Sequence, residues 1–81
     1  MAQFLNIVGP NVRRLRNNCG LSQAKLAAKC QLLGWDITRE GIAKIEGRVR
    51  HVDDKELTYL CRVFRVKAEV LLASGHFSIL N

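Results

Sequence analysis

Two similar helix start signals, one beginning at position 21 and one at position 37, constrain the fold of this chain most strongly. In the first, Leu21 precedes Ser22, whose hydroxyl can accept a hydrogen bond from a first-turn N–H, and Leu26 completes the spacing of a hydrophobic staple. In the second, Ile37 and Ile42 flank the cap residue Thr38 in the same way. The pattern predicts two short helices that follow one another closely.

The first helix of this pair is predicted from about Gln23 to about Leu33, because its apolar positions recur at three and four residues. Gly34 then offers the positive φ that ends many helices. The second helix is predicted from about Arg39 to Glu46. Only two of its residues are strongly apolar, so we expect a narrow buried edge and a polar side that faces outward.

The rest of the chain reads as three more short helices, and no strand pattern, repeat or low-complexity tract interrupts them. Proline suits a first turn, so a helix is predicted from about Pro10 to Asn18. An acidic cap at Asp53 begins another that runs to about Phe64, and a fifth runs from Ala68 to about Ala73. The sequence therefore predicts an all-α, compact bundle of five short helices. We expect one domain over residues 1–81, with a core at about 9–73 and an apolar tail, 74–81, that either folds back or meets a second subunit.

Positive charge is concentrated in the first half of the sequence. The chain has 13 Lys and Arg against 7 Asp and Glu, and residues 1–35 hold five of these cations and no acid. A basic face suits nucleic acid, an anionic membrane surface or simple solubility. Charge alone does not separate these possibilities.

Several classes of function lack candidate residues. The three cysteines are widely spaced, form no CxxC pair and lie near no histidine cluster, which argues against a disulfide framework and against a zinc site. Neither a metalloprotease spacing nor a nucleophile elbow is present. We expect no enzyme activity, no cofactor and no small-molecule substrate. No apolar run could cross a bilayer and FLNIV is too short for a signal peptide, so the expected location is cytoplasmic, without a membrane partner.

Three further positions have predicted structural roles. Arg16 adjoins the buried stripe of the first helix, where an unpaired guanidinium would be costly, so it needs an anion. Trp35 is assigned to the rim of the core. The aperiodic segment GRVRHV should form a surface loop, which exposes Arg48, Arg50 and His51.

The motif L-S-Q-x-x-L-A over residues 21–27, followed by T-R-E-G-I-A-K-I-E over residues 38–46, resembles the Cro and phage-repressor type of helix-turn-helix regulator. The resemblance covers about residues 9–73. It implies a lambda-repressor-like fold in which the second and third helices form the helix-turn-helix. The connection CQLLGWDI is about five residues longer than in the commonest members, which affects the angle at which the third helix would enter DNA.

The resemblance also implies roles for individual residues. An arginine of the first helix commonly pairs with the glutamate that ends the third helix, which points to a structural ion pair between Arg16 and Glu46. The start of the third helix faces the major groove, where Arg39 could bind guanine and Glu40 could accept from cytosine. The implied base-reading residues are Thr38, Arg39, Glu40, Ala43 and Lys44. The implied phosphate-binding residues are Gln23, Arg48, Arg50 and His51.

Two classes of function follow from the sequence. The first is a sequence-specific DNA-binding transcription regulator, a repressor of a prophage or mobile element, that acts as a homodimer on a near-palindromic double-stranded operator. The second is a protein-interaction or dimerisation module of the same fold that does not read DNA. An antitoxin that regulates its own synthesis would share the DNA-binding domain.

Overall fold

The computed structural model describes residues 3–73 and contains five helices. These are α1 (Gly9–Asn18), α2 (Gln23–Leu32), α3 (Arg39–Glu46), α4 (Asp54–Phe64) and α5 (Ala68–Leu72). No strand occurs in the described part, and none of its helices has the length and apolarity needed to cross a bilayer. The predicted all-α bundle of five short helices is confirmed, with helix ends within one residue of those predicted. The expectation for the apolar tail, 74–81, lies outside the described residues.

Side-chain caps account for where three of the helices begin. The hydroxyl of Ser22 accepts from the third N–H of α2 at 3.1 Å, and Thr38 does the same for α3 at 3.1 Å. Asp53 and Glu56 form a reciprocal capping box at the start of α4. Such caps satisfy N–H groups that have no partner within the helix, so the start points are encoded locally.

Helix α3 packs against α1 and α2 through one side. Its two isoleucines, Ile42 and Ile45, are fully buried. Helix α4 packs against α1 and α2, and α5 covers the remaining side of α1 and α4. The buried core consists of Val8, Val12, Leu26, Ala27, Cys30, Trp35, Ile37, Ile42, Ile45, Leu60 and Leu71.

One expectation for α1 is wrong. The spacing of Val12, Leu15 and Cys19 predicts one inner stripe, but the side chain of Cys19 is exposed, whereas Val12 is fully buried and Leu15 is half-buried. Cys19 keeps a helical backbone and donates to the carbonyl of Leu15 at 3.0 Å, so its exposure reflects its place as the C-cap at the end of α1.

The long connection between α2 and α3 is packed against the bundle. Trp35 is 8% exposed and stacks on Tyr59 of α4, with ring centroids 5.8 Å apart and planes 18° apart. The amide of Gln31 donates to the carbonyl of Ile37 at 2.8 Å. The buried side chain of Ile37 covers Gly41, where a Cβ would lie 2.7 Å from its Cγ1. The extra residues therefore fix the start of α3 against α2 and α4.

Candidate nucleic-acid interface

The outward face of α3 is polar. At about 100° per residue, Glu40 and Lys44 lie on the side opposite the buried pair Ile42 and Ile45, and Arg39 lies on the flank. Arg39, Glu40 and Lys44 are exposed, and Ala43 beside them is half-buried. The three charged side chains make no hydrogen bond or ion pair with any described residue. This face therefore offers two cations, one carboxylate and a small apolar side chain to an external partner.

Thr38 is also the N-cap of α3. It is exposed, but its hydroxyl oxygen accepts from the N–H of Gly41 as the cap of α3. A hydroxyl that accepts in this way keeps its own proton for donation. Thr38 can therefore still donate its O–H, or accept through its second lone pair, in a contact with a base.

Arg16 and Glu46 form the ion pair that the family resemblance implied. The guanidinium contacts the carboxylate twice, with Nε to Oε2 at 2.6 Å and Nη2 to Oε1 at 3.1 Å. Its Nη1 also donates to the carbonyl of Leu21 at 2.8 Å. The side chains are only 12% and 4% exposed. The hydrogen bonds that Arg16 donates to Glu46 raise the pKa of Arg16 against the opposing effect of desolvation. Through these contacts Arg16 joins α1 to the residue before the cap of α2 and to the end of α3.

Gln23 has a hydrogen-bond partner within the protein, and its expected phosphate contact stays a prediction. Its Nε2 donates to Oε1 of Glu46 at 3.1 Å, because the start of α2 packs against the end of α3. The side chain is half-buried and directed at protein rather than held out to a phosphate. The amide has a second N–H, which is the part of Gln23 still able to reach a DNA backbone.

Arg50 also forms an ion pair within the protein. In the α3–α4 loop (residues 47–53), its guanidinium makes a two-point pair with Glu56, with Nη1 to Oε1 at 3.0 Å and Nη2 to Oε2 at 2.8 Å. Nη1 further donates to the carbonyl of His51. The hydrogen bonds to Glu56 raise the pKa of Arg50. Glu56 therefore both caps α4 and pairs with Arg50, and the phosphate contact expected of Arg50 stays a prediction.

Arg48 is held by the N-terminal segment (residues 4–8) and keeps part of its guanidinium free. Its Cζ lies 3.8 Å from the centroid of the Phe4 ring, and its Nε donates to the carbonyl of Asn6 at 3.1 Å. The N–H of Leu5 donates to the carbonyl of Arg48 at 3.0 Å. The two Nη groups have no partner among the described residues. Together with the exposed His51, Arg48 remains a candidate for backbone contact.

Sequence reasoning missed Asn6, which connects three segments at this end of the molecule. Its Nδ2 donates to the carbonyls of Ile45 and Arg50 at 3.1 and 2.8 Å, and its Oδ1 accepts from the N–H of Gly9 at 2.8 Å. An asparagine three residues ahead of a helical N–H is a capping signal, so the last contact could have been predicted. The first two bridge about 40 residues of sequence and have no local signal.

Gly9 is a point of close approach between α1 and the end of α3. A Cβ there would lie against the carbonyl oxygen of Ile45, 2.9 Å from Cγ of Arg48 and 3.0 Å from the carbonyl oxygen of Glu46. The backbone of α1 therefore touches the end of α3 directly. Nothing in the residues around Gly9 indicates this contact.

A shallow basic groove extends this surface along α1. Its volume is about 480 Å³, and it is lined by Pro10, Arg13, Arg14, Asn17, Asn18 and Glu46. Both arginines are exposed, and Arg14 donates to Asn11. Among residues 3–73, no three His, Cys, Asp or Glu side chains lie close enough to hold a metal ion.

This arrangement of helices has a known counterpart. The crystal structure described as that of the hypothetical transcription factor NHTF from Neisseria superposes with a TM-score of 0.79 at 20% sequence identity. The alignment covers 99% of this chain and 93% of NHTF. No protein-family model matches the chain, and no curated protein matches it. The likeness to NHTF shows the fold, and membership of the Cro and phage-repressor family stays a prediction.

Proposed function

We propose that this protein is a sequence-specific DNA-binding regulator of transcription that inserts α3 into the major groove of double-stranded DNA. The observation that carries the proposal is the contrast between the two sides of α3. Ile42 and Ile45 are fully buried, while Arg39, Glu40 and Lys44 are exposed and without partners in the described chain. A helix that is already folded presents these side chains to base edges without a further cost for ordering its backbone, although each long side chain that is immobilised still costs about 0.5–1.5 kcal/mol.

The proposed readout begins at the amino-terminal half of α3. Arg39 would donate to O6 and N7 of guanine, and Glu40 would accept from N4 of cytosine. Lys44, one turn further on, would contact a base or a phosphate, and Ala43 would pack against a thymine methyl group. Thr38 would donate its remaining O–H.

Phosphate contacts on both sides of α3 would set its position. The free Nη groups of Arg48 and the imidazole of His51 would contact phosphates of one DNA strand. On the other side, the amino-terminal N–H groups of α2 and the second N–H of Gln23 suit a phosphate. Arg50 would act indirectly, because its pair with Glu56 holds the loop that carries Arg48.

We further propose that the protein is a homodimeric repressor from a prophage or mobile element, that it acts in the cytoplasm and that its operator is a near-palindrome. Two-fold symmetry in the protein would be mirrored in the DNA, with half-sites about 34–36 Å apart. The description of NHTF as a hypothetical transcription factor supports a role in transcription. The net charge of +6 supports a polyanionic partner.

The test is selection of bound fragments from a random DNA pool, followed by binding measurements on the selected site. Affinity should fall by about 10²-fold between 50 and 200 mM salt if about four phosphates are contacted, because bound counterions are released. Arg39→Ala should cost about 1–3 kcal/mol at one base pair and relax preference there. Lys67→Ala removes an exposed cation outside the proposed interface and serves as the matched control.

Two results separate this proposal from a protein-interaction module. A module that does not read DNA would select no consensus and would show no steep salt dependence. If a consensus emerges but Arg39→Ala leaves every preference unchanged, the assignment of α3 to the major groove is wrong. An autoregulating antitoxin would pass both tests and would differ only in having a protein partner.

A further inference from the structure

A second surface lies between the carboxyl-terminal halves of α2 and α4. It is an open, shallow groove of about 210 Å³. Its lining consists of three apolar side chains, here called the floor (Leu32, Leu33 and Val63), and three cations, here called the rim (Lys29, Arg62 and Arg65). Leu32 is 87% exposed, more than any other large apolar side chain in the described chain. An aliphatic side chain held this far into water, beside a groove, is suited to contact with another molecule.

The rim of this groove carries unbalanced positive charge. Arg16 and Arg50 each face a glutamate, but Lys29, Arg62 and Arg65 form no ion pair or hydrogen bond with any described side chain. Lys25 lies one turn before Lys29 and is also exposed, which extends the cationic edge along α2. A partner with carboxylates would complement this rim.

The backbone at Arg65 supports a role for its side chain. Arg65 is the C-cap of α4 and has φ 55° and ψ 47°, the left-handed conformation. Glycine is usual at such helix ends, since a residue with a Cβ pays roughly 1–2 kcal/mol there. An arginine at this position costs stability and supplies a cation to the groove.

The groove is separate from the proposed DNA-contacting face. Leu32 follows Gln23 by nine residues, so at about 100° per residue the two side chains leave α2 on opposite sides. Leu32 also lies about 13 Å further along the helix axis. DNA held by α3 and the start of α2 would leave the groove uncovered.

We propose that this groove binds a short acidic segment of a partner protein that presents one or two leucine-like side chains flanked by carboxylates. The groove is smaller than the roughly 300–1,000 Å³ of sites for drug-sized ligands, which favours single side chains over a small molecule. Its walls have no aromatic ring on which a base could stack, and its apolar floor would face phosphates unfavourably, which argues against nucleic acid. An amphipathic helix with acidic flanks satisfies both the floor and the rim.

The first experiment titrates the ¹⁵N-labelled full chain with three synthetic helical peptides of equal length. One combines leucine with glutamate, the second replaces glutamate with glutamine, and the third replaces leucine with serine. The first peptide should shift the amide signals of Leu32, Val63 and Arg65. Each analogue should bind about tenfold more weakly, which corresponds to about 1.4 kcal/mol.

Two variants sharpen the test. Leu32→Ser should weaken binding of the leucine–glutamate peptide about tenfold. Arg65→Gly should weaken it as well, yet raise the melting temperature, because it removes a cation and relieves the left-handed strain at once. A merely structural arginine would not lower peptide affinity while the protein becomes more stable. Lys67→Ala is again the control for loss of one charge.

Four outcomes would overturn the proposal. These are equal binding of the glutamine peptide, shifts confined to residues 39–51, absence of shifts with all three peptides, and unchanged affinity in both groove variants. Displacement of the peptide by random duplex DNA that itself shifts the amide signals of Leu32, Val63 and Arg65 would assign the groove to nucleic acid. Displacement by anionic phospholipid vesicles would assign it to a membrane surface. Neither result depends on whether α3 reads DNA.

Discussion

The carboxylate of Glu46 accepts hydrogen bonds from two side chains, Arg16 and Gln23, that arrive from different helices. Removing it by Glu46→Ala leaves a part-buried guanidinium with one backbone acceptor. We expect a loss of about 1.5–3 kcal/mol in the free energy of unfolding, measured by urea denaturation. This is a large part of the roughly 5–15 kcal/mol that stabilises a typical domain.

The control for Glu46→Ala is Glu40→Ala on the exposed face of the same helix, which should change stability by less than about 0.5 kcal/mol. The double variant Arg16→Met with Glu46→Leu should recover most of the loss, because it leaves no unpaired charge. Equal, small effects of Glu46→Ala and Glu40→Ala would contradict a structural role for the pair.

The thiol of Cys30 gives the fold a predictable response to high pH. Burial raises the pKa of Cys30 from its ordinary value of 9.0 to about 11. Between these values the folded state keeps its proton while the unfolded chain loses it, so the free energy of unfolding falls as pH rises from 9 to 11. Urea denaturation across this range should show the decline, with a smaller slope in Cys30→Ala.

Alkylation provides an independent check on Cys30. At pH 8 iodoacetamide should modify the exposed Cys19 much faster than Cys30, because only the thiolate reacts and access to Cys30 is closed. Mass spectrometry of the alkylated chain distinguishes the two sites. Equal rates at Cys19 and Cys30 in the folded protein would contradict the burial of Cys30.

Gly9 tolerates no side chain, because α1 and the end of α3 meet there. Gly9→Ala should destabilise the protein by about 1–3 kcal/mol through overpacking against Ile45 and Glu46. Gly20→Ala makes a useful comparison: a Cβ at Gly20 meets nothing within 4 Å, but its φ is +70°. It should cost about 1–2 kcal/mol from backbone strain alone. A neutral Gly9→Ala would show that the two helices can separate freely.

Among the elements, the N-terminal segment and the α3–α4 loop form one unit through Asn6. Asn6→Ala removes the two hydrogen bonds that Asn6 donates to the carbonyls of Ile45 and Arg50, and the one it accepts from the N–H of Gly9. We expect the free energy of unfolding to fall by about 1–3 kcal/mol. The rate of amide hydrogen exchange should increase more at residues 47–51 than in α2 or α4.

The matched control for Asn6→Ala is Asn17→Ala, an exposed asparagine of α1 whose side chain has no partner in the described chain. It should leave exchange in the loop unchanged. If both variants leave residues 47–51 equally protected, the segment does not support the loop.

Features of these elements that depend on residues close together in the sequence could be predicted, and features that depend on distant residues could not. The starts of α2, α3 and α4 depend on a cap and the few residues after it, so Ser22, Thr38 and Asp53 reveal them in the sequence. The capping signal of Glu56 is visible in the sequence. Its ion pair with Arg50 is not, because the cap and the ion pair use the same carboxylate. The orientation of Gln23 depends on a helix 23 residues away, and no local pattern encodes such a contact.

For the molecule as a whole, the proposed dimer makes a geometric prediction about its operator. Inserting about 5 base pairs at the centre of the selected site rotates one half-site to the opposite face of the duplex. Affinity for the full site should then fall toward that of a single half-site, measured by fluorescence anisotropy. The same insertion placed outside the site should have no effect. Unchanged affinity after the central insertion would indicate that each chain binds alone.

The packing of Trp35 against Tyr59 has a practical consequence. The chain contains a single tryptophan, and it sits in the connection just ahead of Thr38, stacked on a ring of α4. Its emission is therefore an intrinsic optical reporter of how α3 is seated on the bundle. Unfolding, and any shift of α3 on meeting a duplex, should both alter that emission without a label.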